Sequence, residues 1–195
     1  EAANVYNMAL ILTEIDVLTG EWKNIRTELI ANTDRSINGL TDINQLEGGF
    51  HMGSGYVTSE DSSEMLKSGK SLRQGFWGYK IPIAKNTPEM FNAALLNVNN
   101  AYVAGTPYFK GVAEICTPTC AGAMGSSLRD CIRNFRESVT SNLTGSGLTN
   151  PYATDTEVSN RSRCSYMDDL FQVSVDKIRK HTSVPNDVLE YLVNN

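Results

Sequence analysis

The sequence predicts an all-α fold: a disulfide-braced bundle of about five or six helices with a long N-terminal helix. Three observations lead there. Apolar residues recur at steps of three and four along most of the chain, the signature of one buried helical face. Runs that alternate apolar and polar between turns are too few to carry a sheet. Four cysteines, an even number, permit complete pairing.

The first helix is read over about 4–32 from Val5, Met8, Leu12, Ile15, Leu18, Trp22, Ile25 and Leu29. Gly20 is then an interior helical glycine, tolerated at a cost of about 1 kcal/mol. The pattern weakens through Ile37, Leu40, Ile43 and Leu46, so a bend and a second stretch to about 46 follow. The other reading is one unbroken helix. Gly48, Gly49, Gly53 and Gly55 read as a flexible loop, without the strand–glycine–helix context of a nucleotide fingerprint. Thr58 or Ser59 caps a thin-faced helix over about 60–74. Residues 76–83 are aromatic and proline-broken, a short extended piece over one end of the bundle. Thr87 and Pro88 open a helix that ends near Gly105.

Between Cys116 and Cys120, Pro118 argues for a bent connection rather than a continuous helix. Leu128, Cys131, Ile132, Phe135 and Val139 give an amphipathic helix over about 122–142. Polar residues 143–160 read as a loop, a further helix runs from Cys164 to His181, and a last short one starts near Pro185. The whole chain, 1–195, reads as one helical domain with mobile segments at 48–60 and 143–160.

The charge balance is 17 basic against 22 acidic residues, a formal net charge of -5, and no basic run points to nucleic acid. No stretch reaches 18 apolar residues, so no membrane span is expected. The N-terminus lacks the basic start and apolar core of a signal peptide, and reads as a mature end or a cut domain.

Cys116, Cys120, Cys131 and Cys164 are the disulfide candidates. Their spacings of 3, 10 and 32 fit neither a redox C-x-x-C nor paired zinc knuckles, while unpaired structural cysteines remain the alternative. Asn142 and Asn160 begin N-glycosylation sequons in polar stretches. Together these features predict a secreted or extracellular glycoprotein.

No catalytic residue is identified. His51 and His181 lack a nucleophile elbow or a metal motif, and the acids form no spaced pair. No cofactor and no metal are expected. The remaining feature is apolar: Trp22, Phe76, Trp77, Tyr79, Met90 and Phe91 read as the lining of a ligand space, with residues 75–79 as its rim. The expected function is non-enzymatic binding of a small hydrophobic ligand, such as a fatty acid, between helices. The alternative is an extracellular structural or recognition protein, with a homodimer permitted through the first helix.

Overall fold

A computed structural model describes residues 5–60, 69, 73, 75–96, 110–112, 114–144, 146–148, 151 and 173–194. It shows a three-stranded sheet covered on one face by two helices. Strand β1 (Tyr6–Ile15) is antiparallel to β2 (Trp22–Asn32), and β2 is parallel to β3 (Met90–Leu95), in the order β1-β2-β3. Helix α1 (Gly39–Val57) lies in the crossover between the parallel pair, followed by the one-turn α2 (Gly75–Gly78). Helix α3 (Cys116–Leu143) packs beside α1, and α4 (Val175–Thr182) and α5 (Asn186–Asn194) close the described chain.

The long N-terminal helix is therefore a hairpin. Exposure alternates residue by residue along β1, with Ala9, Ile11, Thr13 and Ile15 facing the helices and Tyr6, Met8, Leu10 and Leu12 facing out. Apolar side chains on both faces of one strand mimic steps of three and four, which explains the helical reading. The turn is built by Asp16, whose Oδ1 accepts from the backbone N–H of Leu18 at 2.8 Å and of Thr19 at 3.2 Å. These donors hold the Asp16 carboxyl below its usual range. Gly20 has φ +78°, a left-handed conformation that suits glycine, and an added Cβ would meet the Val175 carbonyl at 2.6 Å.

The glycine-rich stretch is helical, not a loop. Gly49 and Gly53 form the α1 face that presses on α3: a Cβ on Gly49 would lie 2.8 Å from the Cys116 Cβ, and one on Gly53 would collide with the Thr117 carbonyl. Missing side chains let the two helix backbones approach closely. The helix expected to follow Pro88 is instead β3, with Phe91, Ala93 and Leu95 turned toward the core and residues 97–109 outside the described set.

Helix α3 runs through the cysteines. Pro118 falls in its first turn, where the missing N–H would have had no helical acceptor. Its stripe of Cys120, Met124, Leu128 and Ile132 joins Leu29, Ala31, Leu46 and Phe50 in the main core. A second cluster of Val139, Leu143 and Val188 joins α3 to α5. Cys116, Cys120 and Cys131 are free thiols, so no bridge braces the fold among the described residues. Cys164, the helix expected over 60–74 (save Glu60, Gly69 and Arg73) and the start of the one expected from Cys164 lie outside them. Among the described residues no helix is long and apolar enough to cross a membrane.

Candidate functional site

Parallel strands followed by helices leave a crevice at their carboxyl ends, where ligands of open α/β sheets bind. Here that end is formed by Asn32 of β2 and the connection 33–38 into α1. Asp34 takes a left-handed φ of 57°, and its backbone N–H donates to Asn32 Oδ1 at 3.1 Å. Its carboxylate pairs with Lys110 Nζ at 2.9 Å, with side chains only 15% and 11% exposed. The Lys110 backbone N–H also donates to the Thr33 carbonyl at 3.2 Å, fastening the approach to α3 beside β2. Asn38 caps α1 by accepting from the Thr41 N–H.

Asn7 stands opposite Ala31 across the hairpin, and Thr33 directly follows the end of β2. Thr119, in the second turn of α3, donates to Asn7 Oδ1 at 2.7 Å and fixes its amide. The other end of that amide, Nδ2, and the hydroxyl of fully buried Thr33 have no hydrogen-bond partner. Burying such a group unpaired costs about 1–3 kcal/mol. Two of them at the carboxyl end of a central strand point to a polar ligand. Glu114, exposed two residues before α3, puts a carboxylate at the start of that helix.

Further into the helix pair, Cys116 donates to the Leu46 carbonyl at 3.3 Å, and its sulfur lies 3.4 Å from that of Cys120. A hydrogen bond from the Cys120 thiol lowers the pKa of Cys116, whereas donating that bond and being buried raise that of Cys120. Beside them, Tyr56 and Val57 of α1 and Pro118, Ala121, Gly125 and Arg129 of α3 line an open cleft of about 460 Å³.

None of the six aromatic and methionine candidates lines that cleft. Trp22 and Phe91 are half-buried against the main core, and the Phe91 ring meets Phe50 edge-on at 5.2 Å. Met90 is exposed, as are Phe76 and Trp77 on α2. Tyr79 donates to Glu60 at 2.5 Å. Asn142 is exposed in the last turn of α3, and Asn160 lies outside the described residues. Asn7 and Thr33 had no sequence signal beyond their polarity. Among the described residues no cluster of three or more His, Cys, Asp or Glu is placed to hold a metal.

Residues 1–88 match the molybdopterin cofactor-binding domain. The chain is 35% identical over 133 residues to a probable aldehyde oxidase, gad-3, of Caenorhabditis elegans, covering 68% of this chain and 11% of that protein. It is 38% identical over 88 residues to a xanthine dehydrogenase of Blastobotrys adeninivorans, covering 45% of this chain and 6% of that one. In fold it resembles a Cu,Mo-CO dehydrogenase, with a TM-score of 0.63 at 15% identity, over 91% of this chain and 18% of that chain. Quinoline 2-oxidoreductase of Pseudomonas putida 86 gives a TM-score of 0.56 at 20% identity, over 63% of this chain and 15% of the other. The chain thus spans about a tenth or less of the curated relatives.

These likenesses overturn the reading of a non-enzymatic carrier for a lipid-like ligand, and with it the extracellular structural alternative. The matched proteins are oxidases and dehydrogenases. The expectation of a secreted glycoprotein leaned on disulfide bridges; Cys116, Cys120 and Cys131 are free, and the relatives are redox enzymes.

Proposed function

We propose that this chain forms a molybdopterin-contacting part of an oxidoreductase of the aldehyde oxidase and xanthine dehydrogenase kind, acting on an aldehyde or an oxidisable nitrogen heterocycle. One observation carries the reading. The segment that matches the cofactor-binding domain, residues 1–88, contains the three buried side-chain polar atoms without a partner among the described residues, Asn7 Nδ2, Thr33 Oγ1 and Ser59 Oγ, and Thr33 directly follows the carboxyl end of β2. A pterin edge alternates hydrogen-bond donors and acceptors, so an amide N–H and a hydroxyl are suited to it.

When bound, the cofactor supplies a metal centre that accepts the electrons of the oxidation. The chain's own residues bind and orient. Asn7 meets the Thr119 hydroxyl through one end of its amide and offers the other end, Nδ2, to the cofactor. Thr33 offers a hydroxyl that donates or accepts. The Asp34–Lys110 pair cancels its own charge and clamps the strand end, leaving the site without a fixed net charge from these two groups. Glu114 places an exposed carboxylate at the start of α3.

The test is the content of the protein purified from its natural source with any polypeptide that accompanies it. Molybdenum by elemental mass spectrometry and pterin by fluorescence after oxidative release are expected near one each per chain. Protein free of pterin overturns the proposal.

A further inference from the structure

The outer face of the sheet is built to be covered. Antiparallel hairpins normally turn polar residues to solvent on one side. Strand β1 instead presents Tyr6, Met8, Leu10 and Leu12, each more than half exposed, and Met90 of β3 extends the apolar surface across the sheet. The polar groups between them are already satisfied within the face. Glu28 accepts from Arg26 Nε at 2.7 Å and from Asn92 Nδ2 at 2.8 Å, and both contacts hold its carboxyl below the usual range. A partner laid over the middle of this face therefore covers charges that are already paired. Nor is the strand guarded: its ten residues, YNMALILTEI, contain no proline, lysine or arginine, and one charge, Glu14. Among the described residues its outer edge has no ladder partner.

We propose that the outer face and free edge of β1 dock the remaining polypeptide of the oxidoreductase, through an apolar, strand-bearing surface whose central charges, Arg26 and Glu28, are paired with each other. This rests on the functional reading above. The occupant is argued from size: the same fold makes up 18% of the CO dehydrogenase chain, and this chain spans 11% of the aldehyde oxidase relative. Most of an enzyme of this kind therefore lies outside these 195 residues.

Native methionines report on the face directly. In the protein isolated from its source, limited peroxide oxidation followed by peptide mapping compares Met8 and Met90 with the same residues in the unfolded chain. The expected result is at least tenfold slower sulfoxide formation at both. A photo-crosslinking residue replacing Leu10 is expected to join peptides of the oxidoreductase from outside this sequence. Oxidation as fast as in the unfolded chain, or crosslinks only to a second copy of the chain, overturns the docking proposal. Pterin content measured on the same sample separates the two claims: pterin with an open β1 face defeats only the docking, and a covered face without pterin defeats only the cofactor reading.

Discussion

Two of the contacts that helix α3 makes along its length are built on opposite principles. Near its start it meets α1 through absent side chains, Gly49 and Gly53 against Cys116, Thr117 and Ala121. Near its end it meets α4 through a long charged one. Arg136, only 6% exposed, donates through Nε to the His181 carbonyl at 2.8 Å, and its Nη2 lies 3.2 Å from His181 Nδ1. The first contact is fixed by shape and tolerates no added atom. The second is fixed by hydrogen bonds and depends on a buried cation keeping its acceptors. The shape-determined end is the one that carries Thr119 and the candidate site.

The sharpest way to break the first contact is Gly53→Ala. Its methyl group would have to displace α3 backbone atoms, which cannot rotate away, so a loss of about 3 kcal/mol is expected, at the upper end of overpacking. Chemical denaturation measures it, and a change under 1 kcal/mol would mean that the helices are not in close contact. Arg136→Met tests the second contact. It removes the donors to the two His181 acceptors while keeping much of the side-chain bulk, for an expected loss of about 2 kcal/mol by the same measurement. An unchanged midpoint would show that water or another group already serves those acceptors.

Gly48→Ala sharpens the comparison from inside α1. No atom lies within 4 Å of its added Cβ, so the substitution meets no neighbour and should stabilise the helix by about 0.5–1 kcal/mol. Opposite signs at positions 48 and 53 would confirm that contact with α3 decides the role of each glycine. Destabilisation at both would point instead to a general intolerance of α1.

The same distinction governs what could be read from the sequence. The α3 stripe of Leu128, Ile132 and Val139 was legible because one face is buried and the opposite one is polar. The start after Pro185 was legible from the same kind of local signal. Strand β1 was not, because its exposed Met8, Leu10 and Leu12 are as apolar as the residues it buries. Helix α1 was not, because its glycines favour a helix only when α3 is already beside them, and that neighbour is some 70 residues away along the chain. The candidate site was hidden for a related reason. Asn7 and Thr33 are ordinary polar residues until the fold buries Asn7 Nδ2 and Thr33 Oγ1 away from water. The cysteines had the strongest local signal and the wrong implication: burial in a helical core also suits a reduced thiol.

The turn at Gly20 has a further consequence, for how the molecule is made. The hairpin tip rests on α4, where Thr182 Oγ1 donates to the Val17 carbonyl across a separation of 165 residues. At a synthesis rate of about 5–20 residues per second, the tip leaves the ribosome roughly ten to thirty seconds before its partner exists. Strands β1 and β2 can pair in that interval, but their turn waits with its inner side bare, and a chain stalled before α4 would present that bare turn to quality control.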